Sequence, residues 1–139
     1  MKVLLAGGGT GGHVYPAIAI ANKIKEHNPD CEILFVGTKN GIESEIVPKA
    51  GFELKTVTVQ GFKRKIDLDN IKRVFKLCKG LEQSRRIVKK YKPDIVIGTG
   101  GYVSGPVLFN AAMNKRVTIV HEQNSFPGVT NKILSKEKP

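Results

Sequence analysis

A chain of 139 residues, 40% hydrophobic and 25% charged, holds enough apolar material for one soluble globular domain with a real core. No apolar run approaches the roughly 18 residues that cross a bilayer, and only four apolar residues precede the first glycines, so neither a spanning helix nor a secretory signal is expected. The net charge of +11 points to an anionic partner, while Cys31 and Cys78 lack CxxC spacing and indicate a reducing compartment rather than a disulfide or zinc site.

In chain order, Val3-Leu4-Leu5-Ala6 reads as a buried strand. It runs into Gly7-Gly8-Gly9-Thr10-Gly11-Gly12-His13 and then a helix over 14–24, with Pro16 in its first turn, where a missing N–H is tolerated. A second strand (31–36), a short helix (41–49) and an alternating third strand (53–59) follow. The longest helix covers 68–91. A fourth strand (94–97), a helix (103–114), a fifth strand (117–121) and the start of a last helix (127–135) complete the pattern. Short strands alternating with helices predict an α/β, Rossmann-like parallel sheet with right-handed crossovers and helices on both faces.

Strand, glycine loop and helix start together make an anion site. Glycines let the backbone approach a ligand, and the helix start aims unpaired N–H groups at it. A phosphate or diphosphate is the expected occupant, and a ligand-free tight turn is the alternative. Gly7-x-Gly9-x-x-Gly12 matches the dinucleotide fingerprint. That fingerprint also wants a carboxylate at the end of the second strand, and Phe35-Val36-Gly37-Thr38-Lys39 has none, which disfavours NAD. The next residues, His13-Val14, are not the Lys-Ser/Thr of a P-loop, which disfavours ATP or GTP hydrolysis.

Two more loops fall at strand carboxyl ends, where such sheets bind ligands. One is Gly98-Thr99-Gly100-Gly101-Tyr102-Val103-Ser104-Gly105-Pro106; the other is His121-Glu122-Gln123-Asn124. Two glycine loops, each opening a helix, suit two anionic groups or one diphosphate held between them. No His/Asp/Glu cluster has metal-ligand spacing, so no metal and no cofactor are expected.

Residues 61–92 carry 12 Lys or Arg against three acids, a net of +9. Leu68, Ile71, Phe75, Cys78 and Leu81 recur at helical spacing among them. One reading is an amphipathic helix whose apolar face packs on the sheet. The other is a surface for anionic lipid, built from Ile71 and Phe75 with Lys72, Arg73, Lys76 and Lys79. Few aromatics and no reading motif disfavour nucleic acid.

The ordered set formed by Gly8-Gly9-Thr10-Gly11-Gly12-His13 with Pro16, the second glycine loop, and His121-Glu122-Gln123-Asn124 closely resembles the N-terminal half of the MurG family of bacterial peptidoglycan glycosyltransferases. Tyr91-Lys92-Pro93-Asp94 and Gly128-x-Thr130-Asn131-Lys132 belong to the same set, and the resemblance runs from Met1 to about Leu134. It implies a GT-B enzyme of two Rossmann-like domains. Such enzymes transfer N-acetylglucosamine, with inversion, from UDP-N-acetylglucosamine to undecaprenyl-diphosphate-linked muramoyl pentapeptide. They act at the cytoplasmic face of the plasma membrane, in wall synthesis that supports cell shape and division. The N-terminal half holds the lipid-linked acceptor.

Inverting transfer needs the acceptor hydroxyl deprotonated as it attacks, and His13 is the candidate base; the alternative is a histidine that braces the loop. By resemblance, Thr10, Gly11, Gly12 and Asn124 touch the donor sugar. Gly8, Gly9, Gly100, Gly101, Tyr102, Ser104 and Gly105 form the acceptor-diphosphate loops, and His121 and Glu122 support them. The chain reaches Pro139 without the family's C-terminal donor domain and is expected to be a truncation with little transfer of its own. A second reading is a membrane-docking acceptor module that serves a separate catalytic chain; a third is a nucleotide-binding domain.

Overall fold

The computed structural model describes residues 1–61 and 68–136. Lys63, Arg64, Lys65 and Asp67 of the basic stretch, and the last three residues, lie outside them. Five parallel strands stand in the order β3-β2-β1-β4-β5: β1 (Lys2–Gly7), β2 (Glu32–Gly37), β3 (Glu53–Thr56), β4 (Ile95–Gly100) and β5 (Val117–Val120). Alternation along β1 divides the core. Leu4 and Ala6 face one layer with Val103, Val107, Leu108 and Ala111. Val3 and Leu5 face the other with Val14, Ala17, Ala21 and Val47. The helices supplying those partners are α1 (Gly11–His27) and α2 (Glu43–Lys49) on one face, and α4 (Ser104–Met113) on the other with α3 (Asp69–Tyr91) and α5 (Val129–Leu134). Strand order reverses between β1 and β4, so the crevice of the sheet opens beside the first two glycine loops.

Two boundaries bear on the site and differ from expectation. The first helix begins at Gly11, so Pro16 sits inside it rather than in its first turn. Proline has no N–H for the Gly12 carbonyl. The Gln123 Nε2–H donates to that carbonyl instead, tying the third loop to the first helix. The third strand ends at Thr56 rather than Val59, because β2 ends at Gly37: Val57 N–H still bonds the Gly37 carbonyl, but Thr58 N–H turns to Gln83 Oε1 of α3.

The basic helix α3 does not lay its expected apolar stripe on the sheet. Its buried residues are Gly80, Ser84 and Val88, in the second half, and its packing partner is α4. Asn110 Nδ2 donates to the Leu81 carbonyl and to Ser84 Oγ there, at 2.9 and 2.7 Å. In the first half Leu68, Ile71, Val74 and Phe75 are exposed, as is Cys78.

Candidate functional site

The two glycine loops are in contact. Gly101 adopts φ +81, and a Cβ there would overlap the carbonyl oxygen of Gly8. Adjacent parallel strands bring them together: β1 pairs with β4, and the loops leave at the same end. Around the junction lies a cleft of ≈ 350 Å³, lined by residues that include Gly8, Gly9, Thr10, His13, Gly101 and Tyr102. Asn124 and Asn131 close it on the side of the third loop. Three helices start around this cleft. Thr10 caps α1, the 101–103 turn leads into α4, and Gly128 caps α5; sequence reasoning had foreseen only the first two as anion-holding starts. Among the described residues no Lys or Arg lines the cleft, and what they offer an anion there is backbone amides and helix starts.

His13 stands at the centre. Its Nδ1 lies 3.1 Å from the Thr99 carbonyl oxygen, and Thr99 Oγ1 donates back to the His13 carbonyl at 2.6 Å. A carbonyl only accepts, so Nδ1 carries the hydrogen, and in the neutral imidazole Nε2 is the nitrogen with the free lone pair. Gln123 Nε2 also donates to the Thr99 carbonyl, at 2.9 Å, so its two hydrogens go to carbonyls and not to the imidazole. His13 therefore both braces the second loop and presents an acceptor nitrogen, and the two readings of this residue are compatible.

Ser104 is placed differently from a ligand contact. It is fully buried; its hydroxyl lies 2.8 Å from both the Ala6 and Gly100 carbonyl oxygens and takes the Gly100 N–H. It fastens the second loop to β1. Tyr102 is exposed beside the cleft, whereas Gly11, Gly12 and Gly105 do not line it.

Glu122 organises the third loop. Its carboxylate accepts hydrogen bonds from Asn124 N–H and Nδ2, Gly128 N–H and Asn131 Nδ2, at 2.9–3.0 Å. The backbone bonds from Asn124 and Gly128 lead in lowering its pKa to about 2, from an ordinary 4.5. A lowered carboxylate stabilises the fold above its ordinary value, and that stabilisation is lost as pH falls through the folded value. The 122–131 loop is thus expected to loosen between about pH 4.5 and about 2, read by amide hydrogen exchange, and Glu122→Gln is expected to remove that pH step.

Two side chains at this site were not anticipated. Gln123 lay within a noted motif without a role. Glu43 supplies the carboxylate whose absence from the end of β2 had been noted. It reaches that strand end from the first turn of α2, where it bonds Thr38.

The profile of the glycosyltransferase family 28 N-terminal domain matches residues 3–138. The chain belongs to that family. Over 136 residues it is 85% identical to the UDP-N-acetylglucosamine--N-acetylmuramyl-(pentapeptide) pyrophosphoryl-undecaprenol N-acetylglucosamine transferase of Clostridioides difficile, and 62% identical to the enzyme of that name from Alkaliphilus oremlandii. These alignments span 98% of this chain but 33% and 37% of those proteins, so the chain corresponds to about a third of the curated relatives it matches. The crystal structure of Acinetobacter baumannii MurG superposes with a TM-score of 0.83 at 31% identity, over 97% of this chain and 38% of that one. The Streptomyces glycosyltransferase SsfS6, at 17% identity and a TM-score of 0.68, shares the fold. Within family 28, the expected Rossmann-like N-terminal domain and its glycosyltransferase kinship are both confirmed.

Proposed function

We propose that this chain is the acceptor half of an inverting N-acetylglucosaminyltransferase. Its substrate is the muramoyl pentapeptide carried on undecaprenyl diphosphate, and UDP-N-acetylglucosamine is the donor. The observation that carries the proposal is the meeting of two glycine loops at one cleft with His13 between them. A diphosphate fits that junction because the starts of α1 and α4 offer backbone donors. His13 Nε2, held as an acceptor by the Nδ1 bond to Thr99, takes the proton of the attacking hydroxyl. Thr10 and Asn124 sit where the donor sugar approaches, and Tyr102 covers the acceptor side. Uridine recognition belongs to polypeptide beyond these 139 residues. Calorimetric titration tests the division: the isolated chain is expected to bind a polyprenyl diphosphate and to bind UDP-N-acetylglucosamine weakly. Tight UDP-sugar binding by this chain alone would overturn it.

The same reading places the domain peripherally on the cytoplasmic face of the plasma membrane. The exposed first half of α3 supports it: Leu68 and Phe75 are 82% and 72% exposed, among Lys72, Arg73, Lys76 and Lys79. Each basic residue near an anionic surface adds about 1 kcal/mol, and apolar side chains between them enter the headgroup layer. The chain is expected to sediment with anionic vesicles, to be released at about 1 M salt, and to bind less well as Phe75→Glu. Absence of binding at low salt, or indifference to lipid charge, contradicts this placement.

A further inference from the structure

Glu43 is the only fully buried charged side chain among the described residues. Its Oε1 accepts the Thr38 N–H and the Thr38 hydroxyl, each at 2.7 Å, and its Oε2 accepts the Gly9 N–H at 3.0 Å. All three partners are neutral donors. Gly8, Gly37 and Gly41 surround it so closely that a Cβ on any of them would overlap its side chain. Burial alone pushes the carboxyl up, yet the bonds from Gly9 and Thr38 outweigh burial and hold it below the usual glutamate value. A buried anion without a cation is unfavourable unless its donors are fixed in place. The cradle fixes them.

What the carboxylate controls follows from the planarity of one peptide. The Gly8 carbonyl and the Gly9 N–H belong to the same trans unit and point in opposite directions. The N–H faces Glu43, and the carbonyl faces Gly101 of the second loop. We propose that Glu43 is a positioning residue of the anion site: by taking the Gly9 N–H it orients the Gly8–Gly9 peptide, seats the two glycine loops against each other, and leaves a bound diphosphate to the amides at the start of α1 and in the second loop. The proposal rests on the diphosphate reading above. It gives the carboxylate beside β2 a role inside the protein, in place of the ribose contact made at that place in dinucleotide-binding folds.

The test compares three forms of the 139-residue chain: wild type, Glu43→Gln and Thr38→Val. Glutamine keeps the shape but sets its own N–H₂ against either Gly9 or Thr38. Valine removes the Thr38 hydroxyl and leaves the Gly9 bond intact. Farnesyl diphosphate is the probe, with affinity measured by calorimetry and the Gly9 amide followed by hydrogen exchange. The account expects Glu43→Gln to bind about tenfold more weakly, as for loss of one hydrogen bond to a charged group. It also expects Gly9 to lose exchange protection in that variant, and Thr38→Val to stay within about twofold of wild type. A purely structural role would instead make binding track thermal stability in both variants. Wild-type affinity in Glu43→Gln, or an equal loss in Thr38→Val, overturns the proposal. If wild type itself does not bind the probe, the diphosphate reading falls. Gly9 exchange then decides Glu43 alone: protection lost in Glu43→Gln keeps it, and equal exchange removes it. Should Glu43→Gln not fold, Glu43→Asp, charged but one methylene short of Gly9, takes its place with the same expected loss.

Discussion

Replacing His13 by alanine is expected to lower turnover by about 10²–10⁴-fold, the usual contribution of a positioned acid or base. The assay joins this chain to the remainder of the Clostridioides difficile relative and follows transfer to a lipid-linked acceptor. The expected loss is mainly in kcat, because alanine removes the Nε2 lone pair while the amides of both glycine loops remain. His13 also bonds the Thr99 carbonyl, so some of the effect is loop positioning. Gln123→Ala separates the two contributions. It removes the donor to the Gly12 and Thr99 carbonyls but keeps the imidazole. A folded His13→Ala enzyme with near-normal turnover removes the base assignment, and equal losses in both variants reduce His13 to a brace.

The second large effect is on the loop junction. Gly101→Ala forces a left-handed φ of +81 on a residue with a Cβ, at about 1–2 kcal/mol. It also drives that Cβ into the Gly8 carbonyl, a backbone atom that cannot rotate away. The two penalties add, and the unfolding midpoint is expected to fall by on the order of 10 °C. Gly128→Ala is the control. Nothing lies within 4 Å of a Cβ at Gly128, so its midpoint is expected to change little. Polyprenyl diphosphate binding is expected to fail in Gly101→Ala even at temperatures where the chain stays folded, because the loops part. Unchanged stability and binding would show that the contact is loose.

The sheet was legible because its strands are short apolar runs between helix periods; β1 and β2 each have their apolar core within one residue of the expected limits. The glycine loops were legible because clustered glycines between an apolar strand run and a helix period mark a tight turn with close backbone approach. Two things were hidden, each for a physical reason. The Gln123 bond to Gly12 exists because proline leaves a carbonyl without its helical partner, and the partner that fills it is 111 residues away. Glu43 was missed because the expected acid lies on the strand end itself, whereas this one reaches back from the next helix. The exposed half of α3 was one of two readings left open, because helical periodicity marks an apolar face but not what covers it; Gly80, Ser84 and Val88 carry the packing, and two of those three lie outside any apolar stripe. Ser104 read as a ligand contact from its place in a loop, and the fold uses its hydroxyl to hold that loop to β1.

The central claim is that backbone amides of both glycine loops hold one diphosphate together. Amide NMR of the isotope-labelled chain during titration with farnesyl diphosphate tests it most directly. The account predicts that the amide of Thr10 and those of Gly101 and Tyr102, which line the cleft, shift along one common binding curve, while distant β3 amides stay still. Shifts confined to one loop, or two separate curves, would contradict a shared site.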